Sequence, residues 1–263
     1  MPELPEVETV RRALEKRLVG LKVTAYELGR PTFYRRPPAQ ALKSLVGSTI
    51  EAVRRRGKYL LLSLSGKQEL ALHLGMSGRL ILAKANGSHK PHLRFSLFID
   101  GQALEFHDAR RFGRVGCRLP ELGPEPLDAA FNAHYLRQAL RGRKAPIKAL
   151  LMDQEIVAGI GNIYATEALF ASGIRPDRKA GRLSAGEIKR LGSAIKKILA
   201  RAVELGGSTL EDNAYLDPLG QPGRFQEVIS IYGRKTDPCG HALKATKKPL
   251  AGRTSLYCPV CQK

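Results

Sequence analysis

The spacing of apolar residues changes along the chain, from helical to alternating and back to helical. The first apolar residues recur on one helical face, at Val7, Val10, Leu14 and Leu18. From about residue 20 to 118 apolar residues instead occupy alternate positions, as at Leu93, Phe95, Leu97 and Ile99, and glycines separate the runs. This pattern predicts a leading helix followed by half-buried antiparallel strands in a β-sandwich or barrel.

Helical spacing returns after the Pro-rich segment PELGPEPLD, which cannot sustain regular structure. We expect helices at 135–140, in PIKALLMDQEIVAG, in NIYATEALFASG and at 184–205. Ser184 and Glu187 form a capping-box pattern for the last of them, and Gly206 with Gly207 ends it.

These changes of pattern predict an α+β chain with two domains, the second of which carries a small terminal hairpin. The predicted boundaries place the N-terminal β-sandwich at 1–119, a linker at 120–133, the helical domain at 134–226 and the hairpin at 227–263.

The charge of the chain indicates the class of its partner. The 263 residues include 44 Lys and Arg against 24 Asp and Glu, a formal net charge of +20. Such a chain attracts polyanions, with nucleic acid the leading candidate, although an acidic membrane surface or a ribosomal environment accounts for the charge equally well. Because the start is acidic and no apolar run approaches a membrane span of about 18 residues, we expect a cytoplasmic protein.

The four cysteines are too few and too unevenly placed for a disulfide framework. Cys117 lies in a predicted strand, where a buried free thiol is the ordinary expectation. Cys258 and Cys261 have the spacing of half a zinc ribbon, and Cys239 and His241 precede them across a hairpin-length gap. This spacing predicts one structural Zn²⁺ on Cys239, His241, Cys258 and Cys261, with a redox-active C-x-x-C or a different fourth ligand as the alternatives.

A set of motifs, in order along the whole chain, resembles the formamidopyrimidine-DNA glycosylase family. The motifs are PELPEVET at the start, RGKYLLL at 56–62, HLGMSGRL at 73–80, HDARRFG at 107–113, GIGNIYATEALF at 159–170, YGRK at 232–235 and AGRTSLYC in the terminal hairpin. The resemblance implies a base-excision repair enzyme that removes oxidised purines, such as 8-oxoguanine and formamidopyrimidines, from duplex DNA. It also implies that the enzyme then cleaves the strand by β,δ-elimination.

The resemblance implies that Pro2 and Glu3 form the catalytic pair. Removal of Met1 turns Pro2 into a secondary amine, and because an α-amino group has an ordinary pKa near 8, part of it is nucleophilic at neutral pH. Glu3 is expected to transfer protons. Glu6 and Lys58 match supporting positions, the first near the amine and the second near a phosphate. Ordinary helix-start electrostatics remains an alternative for the acids, since carboxylates stabilise a helix N-terminus.

Other positions match the family's contacts with DNA. A base must leave the duplex to be excised, and Met76, Arg110 and Phe112 match the residues that fill the hole. His73 and Arg253 match phosphate contacts. Asn162 opens the second helix of a helix–two-turn–helix, where a simple N-cap role is also open. The loop at 220–225 matches a segment that closes over the flipped base.

Two departures from the family pattern concern loop rigidity and the metal. Ala109 stands where proline is common in HDPRRFG, which predicts a looser loop. Cys239-Gly-His241 replaces a C-x-x-C pair, so one residue is missing and one thiolate is exchanged for an imidazole.

Three functions remain open at this stage. The first is the oxidised-purine glycosylase and lyase, the second an oxidised-pyrimidine enzyme of the endonuclease VIII type, and the third a non-catalytic DNA-binding protein on the same scaffold. The adjacent Pro2 and Glu3 argue against the third. In each case we expect a monomer that binds double-stranded DNA, with no membrane partner.

Overall fold

The computed structural model describes residues 1–84, 91–116, 118–210 and 215–263. The chain forms two compact units. Met1–Pro120 and Val203–Gln226 make up the N-terminal unit, and Glu121–Ala202 and Glu227–Lys263 make up the C-terminal unit. Residues 203–226, expected in the helical domain, thus pack with the N-terminal unit, and the predicted domain boundaries stay predictions. Cys117 lies outside the described residues.

Among its described residues, Met1–Pro120 of the N-terminal unit contains one long α-helix, one short α-helix and eight strands. They are α1 (Leu4–Leu18), β1 (Val23–Leu28), α2 (Ala39–Lys43), β2 (Ile50–Arg56), β3 (Tyr59–Leu64), β4 (Gln68–His73), β5 (Gly78–Lys84), β6 (Leu93–Ile99), β7 (Gln102–Asp108) and β8 (Arg114–Gly116).

The eight strands form two antiparallel four-stranded sheets, with orders β1-β6-β7-β5 and β2-β3-β4-β8. The core contains the apolar residues of both sheets and the inward face of α1, including Leu14, Leu60 and Phe106, each 0% exposed. Because α1 contacts β2 and β3, the start of the chain is fixed to one sheet. The predicted α+β fold, with a leading helix on a β-sandwich, is confirmed.

The C-terminal unit is mainly helical and ends in a small hairpin. Its elements are α3 (Ala133–Leu140), α4 (Ile147–Leu151), α5 (Asn162–Ala171), most of α6 (Ala185–Glu204), β9 (Lys244–Ala245) and β10 (Leu256–Tyr257). The capping box of α6 is formed as expected, since the Ser184 N–H donates to Glu187 at 2.8 Å and the Glu187 N–H donates to the Ser184 hydroxyl at 3.2 Å.

The segment PIKALLMDQEIVAG is helical only in its first part, which is shorter than its apolar spacing predicts. The side chain of Gln154 causes the change by satisfying backbone groups of a turn. Its amide donates to the carbonyls of Met152 and Ile160, and its Oε1 accepts from the Gly159 N–H at 2.9 Å. The short helix, this turn and α5 together give a helix–turn–helix pair. None of the helices in the described residues has the length and hydropathy needed to cross a membrane.

Candidate active site and nucleic-acid interface

The chain begins with a buried capping box made of two carboxylates. Glu3 is the N-cap of α1, its side chain accepts from the Glu6 backbone N–H, and its own N–H donates to Glu6 Oε2 at 2.8 Å. Both side chains are only 2% exposed, and Pro2 is buried beside them. Because the bonds are reciprocal, the position of Pro2 and Glu3 relative to the helix is tightly fixed.

Glu6 also ties this helix start to the segment that follows α6. Its Oε1 accepts from the Ser208 N–H at 2.8 Å, and its backbone carbonyl accepts from the Tyr215 hydroxyl at 3.2 Å. At Gly207, where φ is +81°, a Cβ atom would stand 2.7 Å from Glu6 Oε1. Only glycine fits there, so the close approach requires this residue. The geometry gives Glu6 a positioning role.

A tight turn between β2 and β3 places Lys58 beside His73. Lys58 is 6% exposed, and Tyr59, the next residue, pairs with His73 across β3 and β4 with ring centroids 4.8 Å apart. Burial, together with the positive charges of Lys58 and Arg114, lowers the pKa of His73 from 6.5 to about 4. The imidazole is therefore neutral at physiological pH.

The hydrogen bonds of His73 assign its tautomer. Its Nδ1 accepts from the Gly75 N–H at 3.1 Å, so the ring proton belongs on Nε2. A neutral imidazole with Nε2–H is a donor for a phosphate oxygen. This geometry suits the phosphate contact predicted for His73.

Met76, Arg110 and Phe112 lie on two adjacent loops, 74–78 and 108–113, which we call the wedge loops. Gly75 packs against the backbone of the second loop, and a Cβ atom there would lie 2.7 Å from both Phe112 C and Gly113 N. Phe112 is 46% exposed, and the Arg110 guanidinium lies over its ring at 5.2 Å from the centroid. The two loops thus carry a partly exposed methionine and, in contact with each other, a guanidinium and an exposed ring.

The carboxylate of Asp108, itself 0% exposed, holds both wedge loops together. Its Oδ1 accepts from the Ser77 hydroxyl at 2.6 Å and the Arg110 N–H at 3.1 Å, and its Oδ2 accepts from the Gly113 N–H at 2.7 Å. The Asp108 side chain, directly before Ala109, therefore bonds two backbone N–H groups that follow Ala109 and closes the second loop. Sequence reasoning assigned no role to Asp108; the available signal was an acid directly before a loop that ends in glycine.

The loop expected to close over a flipped base lies against the segment that follows α6. Arg224 and Phe225 donate backbone hydrogen bonds to Leu205 and Gly207 at 2.8 and 2.9 Å. Gly223 contacts the same segment, and a Cβ atom there would overlap the Gly207 carbonyl. Its assignment to the lesion stays a prediction.

In the C-terminal unit, Asn162 is the first residue of α5 and Gly161 is the N-cap. The Asn162 Nδ2 lies 3.5 Å from the Tyr232 hydroxyl, and its buried Oδ1 has no partner among the described residues. Glu167 fixes the neighbouring segment by accepting from three consecutive backbone N–H groups, of Ser230, Ile231 and Tyr232, at 2.8–3.0 Å. The Asn162 Nδ2 is a hydrogen-bond donor at a helix N-terminus, which fits a phosphate contact, whereas Oδ1 is an acceptor and cannot bind a phosphate oxygen.

Arg253 lies at the tip of the terminal hairpin. Leu250 and Arg253 exchange backbone hydrogen bonds at 2.9 and 3.0 Å, and both residues between them have positive φ, 48° at Ala251 and 71° at Gly252. This is the two-residue turn that matches strand twist. The exposed Arg253 side chain is therefore presented at the hairpin end.

Four side chains in the hairpin region can hold a metal ion, and their ligand atoms all lie within 4.8 Å of one another. They are Asp237, His241, Cys258 and Cys261. Asp237 Oδ2 lies 3.0 Å from His241 Nδ1 and 3.3 Å from Cys261 Sγ, and the latter two atoms are 3.6 Å apart. Ligands of a tetrahedral zinc, at their usual bond lengths, are about 3.3–3.7 Å apart. The three distances among Asp237, His241 and Cys261 are therefore within about 0.3 Å of this spacing, and Cys258, in the same cluster, would be the fourth ligand.

The cluster differs from the predicted ligand set at one position, because Asp237 is part of it and the exposed Cys239 is not. Asp237 Oδ1 accepts from the backbone N–H groups of Cys239 and His241 at 2.9 and 2.8 Å. Burial raises the pKa of Asp237, but hydrogen bonds from Cys258 and His241 outweigh it and leave the pKa below the ordinary value. Cys239 is exposed and lies outside the cluster, whereas Asp237 reaches the same centre as His241.

The fold and site define an enzyme class that acts on DNA. A buried Pro-Glu start and an arginine–aromatic wedge belong to one unit, and a helix–turn–helix pair with a metal-binding hairpin belongs to the other. Family models agree: the formamidopyrimidine-DNA glycosylase N-terminal domain matches residues 1–115, and the H2TH domain of the same enzymes matches residues 122–214.

Similar proteins extend over the whole chain. Formamidopyrimidine-DNA glycosylases of Shewanella halifaxensis and Carboxydothermus hydrogenoformans are 44% and 39% identical, and the matches cover 100% of both chains. The crystal structure of the MutM (Fpg) protein from Thermus thermophilus is 42% identical with a TM-score of 0.90, covering 99% of this chain and 98% of that one. A Lactococcus lactis Fpg in complex with abasic-site DNA is 35% identical, with a TM-score of 0.89 and 99% coverage of both.

The chain belongs to the formamidopyrimidine-DNA glycosylase family. It is a base-excision repair glycosylase and lyase that acts on damaged DNA.

Proposed function

We propose that this enzyme removes oxidised purines, among them 8-oxoguanine and formamidopyrimidines, from duplex DNA and then cuts the strand through a covalent intermediate on Pro2. The observation that supports the proposal most is the capping box, which fixes Pro2 and Glu3 side by side in a buried position. A Lactococcus lactis relative was crystallised with DNA containing a formamidopyrimidine lesion, which supports the substrate class.

The proposed reaction uses the Pro2 nitrogen after removal of Met1. Its lone pair attacks C1′ of the damaged nucleotide, and the bond from C1′ to the base breaks as the base takes up a proton. The Pro2 nitrogen then loses its own proton, the C1′–O4′ bond opens with Glu3 as the proton donor to O4′, and C1′ and the nitrogen form an iminium ion. The resulting iminium ion acidifies the C2′ proton. Loss of that proton expels the 3′ phosphate, a second elimination expels the 5′ phosphate, and hydrolysis releases Pro2.

The other predicted residues bind and distort the substrate. We assign the phosphates near the lesion to Lys58 and His73, and the burial of Lys58 and the neutral Nε2–H donor of His73 support this assignment. The wedge loops would fill the space left by the extruded base, with Arg110 donating to the unpaired partner base. In the C-terminal unit, Asn162 and Arg253 are the proposed phosphate contacts.

For the metal we propose one structural Zn²⁺, held by Asp237, His241, Cys258 and Cys261. Two thiolates, an imidazole and a carboxylate are ordinary zinc ligands, and the cluster has the size of a tetrahedral site. When bound, the ion supplies folding energy to the hairpin and takes no part in the reaction. The expected cytoplasmic location stays a prediction.

Borohydride trapping tests the proposal. The full-length protein is incubated with a duplex carrying 8-oxoguanine opposite cytosine, reduced, and digested for mass spectrometry of the N-terminal peptide. We expect an adduct on Pro2 in the wild type and a weaker one in Pro2→Gly, because the primary terminal amine of glycine gives an imine that can lose its positive charge. Glu3→Gln should fail to excise the base but still be trapped on a preformed abasic site, because the ring of that site opens without Glu3.

Two results would overturn parts of the proposal. An adduct on a lysine in place of Pro2 would remove the assigned nucleophile. Trapping on an oxidised pyrimidine but not on 8-oxoguanine would replace the purine substrate with the endonuclease VIII type.

A further inference from the structure

A cleft on the N-terminal unit is lined by four arginines that the proposed reaction does not use. It has a volume of about 440 Å³. Its lining includes Arg35, Arg36, Arg114 and Arg118, and none of its lining residues in the described part of the chain is acidic. We call it the arginine cleft. All four arginines are exposed, and none makes an ion pair or a side-chain hydrogen bond with the described residues.

Four like charges around one cleft repel one another. Other arginines of the same unit form ion pairs with carboxylates instead. Arg54 pairs with Glu69 at 2.9 Å and Arg55 pairs with Glu8 at 3.2 Å. Because this cleft brings four arginines together without an acid, it has the chemistry of a polyanion-binding site. Guanidinium groups bind phosphate oxygens with two hydrogen bonds each, which favours a phosphodiester chain.

An exposed aromatic residue, Tyr34, directly precedes Arg35 of the cleft in the sequence. Tyr34 is 68% exposed, yet it is held in place, since its N–H donates to the Arg111 carbonyl at 3.2 Å and the Arg111 guanidinium lies 4.5 Å from its ring centroid. Arg111 Nε also donates to the Thr32 carbonyl at 2.6 Å. The Tyr34 ring lies 5.8 Å from the ring of Phe112. Two fixed, exposed rings with flanking arginines form a platform on which bases can stack.

The arginine cleft is continuous with the residues proposed to contact DNA. Tyr59 lines the cleft and packs on His73, and Arg114 is the strand partner of His73 across β4 and β8. On the other side, Tyr34 joins the cleft to the wedge loops through Phe112. The surface therefore runs without interruption from the wedge to the phosphate contact at His73.

We propose that Tyr34 and the arginine cleft form an additional DNA-binding subsite. Tyr34 extends the wedge by stacking on a base next to the gap, and the cleft binds backbone phosphates of the duplex that flanks the lesion. This inference deepens the proposed function and rests on its assignment of the wedge loops to the substrate.

The salt dependence of DNA affinity tests whether the cleft binds phosphates. Affinity for a duplex with a stable abasic analogue is measured between 50 and 200 mM salt for wild type, R35A/R36A and the matched control K16A/R17A. The control removes the same charge from exposed residues near the far end of α1. For R35A/R36A we expect the slope of log affinity against log salt to fall by about two, with equal weakening on undamaged DNA. The control should leave the slope unchanged.

A Tyr34→Ala variant tests the stacking surface separately. Loss of one stacking ring should weaken binding to the abasic duplex about tenfold, with the salt slope unchanged. Tyr34→Phe should restore the affinity, because the ring carries the contact. Neutral methylphosphonate linkages, placed one at a time along both strands, should locate the phosphates whose effect disappears in R35A/R36A.

The failure of this inference differs from failure of the proposed function. Equal salt slopes for R35A/R36A and the control, with normal trapping on Pro2, would overturn the cleft alone. If Pro2 is not trapped but R35A/R36A still lowers the salt slope, the proposed reaction is overturned and the cleft remains a DNA subsite.

Discussion

The wedge loops and the terminal hairpin each carry an exposed arginine that we propose contacts DNA, but different forces hold the two regions. The wedge loops emerge from a packed sheet, and the buried carboxylate of Asp108 closes them with three hydrogen bonds. The hairpin has strands of only two residues each, and both residues of β9 are exposed. Its support is the cluster of Asp237, His241, Cys258 and Cys261.

This difference shows how two carboxylates fill opposite roles. In the wedge, Asp108 receives only N–H and O–H donors, so its bonds last as long as the surrounding core. In the hairpin, Asp237 lies among the other proposed metal ligands, so our proposal makes its arrangement depend on a cation that a chelator can remove. Chelation should therefore leave the wedge loops unaffected, and loss of the Asp108 carboxylate should leave the hairpin unaffected.

Removing the Asp108 carboxylate should have the largest effect. Asp108→Ala leaves the part-buried Ser77 hydroxyl and the Gly113 N–H without this acceptor, which costs about 3 kcal/mol of unfolding free energy. Single-turnover excision from duplex DNA should fall at least about 100-fold, since a misplaced wedge cannot hold the base out. Cleavage of an abasic site in single-stranded DNA, which needs no wedge, should fall far less.

The matched control is Glu69→Ala, which removes a carboxylate of a surface ion pair in the same unit. Its cost should stay below about 1 kcal/mol, with normal excision. If Asp108→Ala reduced both substrates equally, the role of Asp108 would be general stability and the wedge argument would fail.

Metal removal should have the next largest effect, and only on the hairpin. Asp237→Ala should purify with less than one zinc per chain by elemental analysis and lose roughly 10–100-fold in DNA affinity, whereas Cys239→Ser should keep the ion. Cobalt substitution sharpens the test, because two thiolates give a weaker sulfur-to-metal absorption than three. Zinc retained by Asp237→Ala and lost by Cys239→Ser would restore the ligand set that the sequence predicts.

The two arginines should differ in the kind of binding they lose. Arg110→Ala should reduce discrimination between cytosine and other opposite bases about tenfold or more, with a nearly unchanged salt slope. Arg253→Ala should weaken binding to all sequences and lower the slope by about one. These values come from competition binding with duplexes that differ only opposite the lesion. The assignment fails if Arg110→Ala weakens every duplex equally.

The parts of the structure that the sequence predicted are those that depend on local spacing. The leading helix, the alternating strands and the Ser184–Glu187 capping box follow from residues close in the chain. Asp108 and Asp237 were not assigned, because their roles depend on tertiary contacts. Asp108 bonds Ser77, distant in sequence, and Asp237 meets Cys261 only once the hairpin has folded. The placement of Pro2, Lys58 and the wedge came from family resemblance and not from spacing.

The smallest expected effect is a pH dependence confined to the N-terminal unit. The folded-state pKa of His73 is about 4, below the ordinary 6.5, so only the unfolded chain takes up a proton between these values. Stability should therefore fall as pH drops from 6.5 towards 4, by about 1 kcal/mol between pH 7 and 5.5. Urea unfolding at both pH values should show this loss in the wild type and in His134→Asn, an exposed histidine of the other unit. His73→Asn should lack it, and an unchanged pH dependence in that variant would show that His73 is protonated in the folded enzyme.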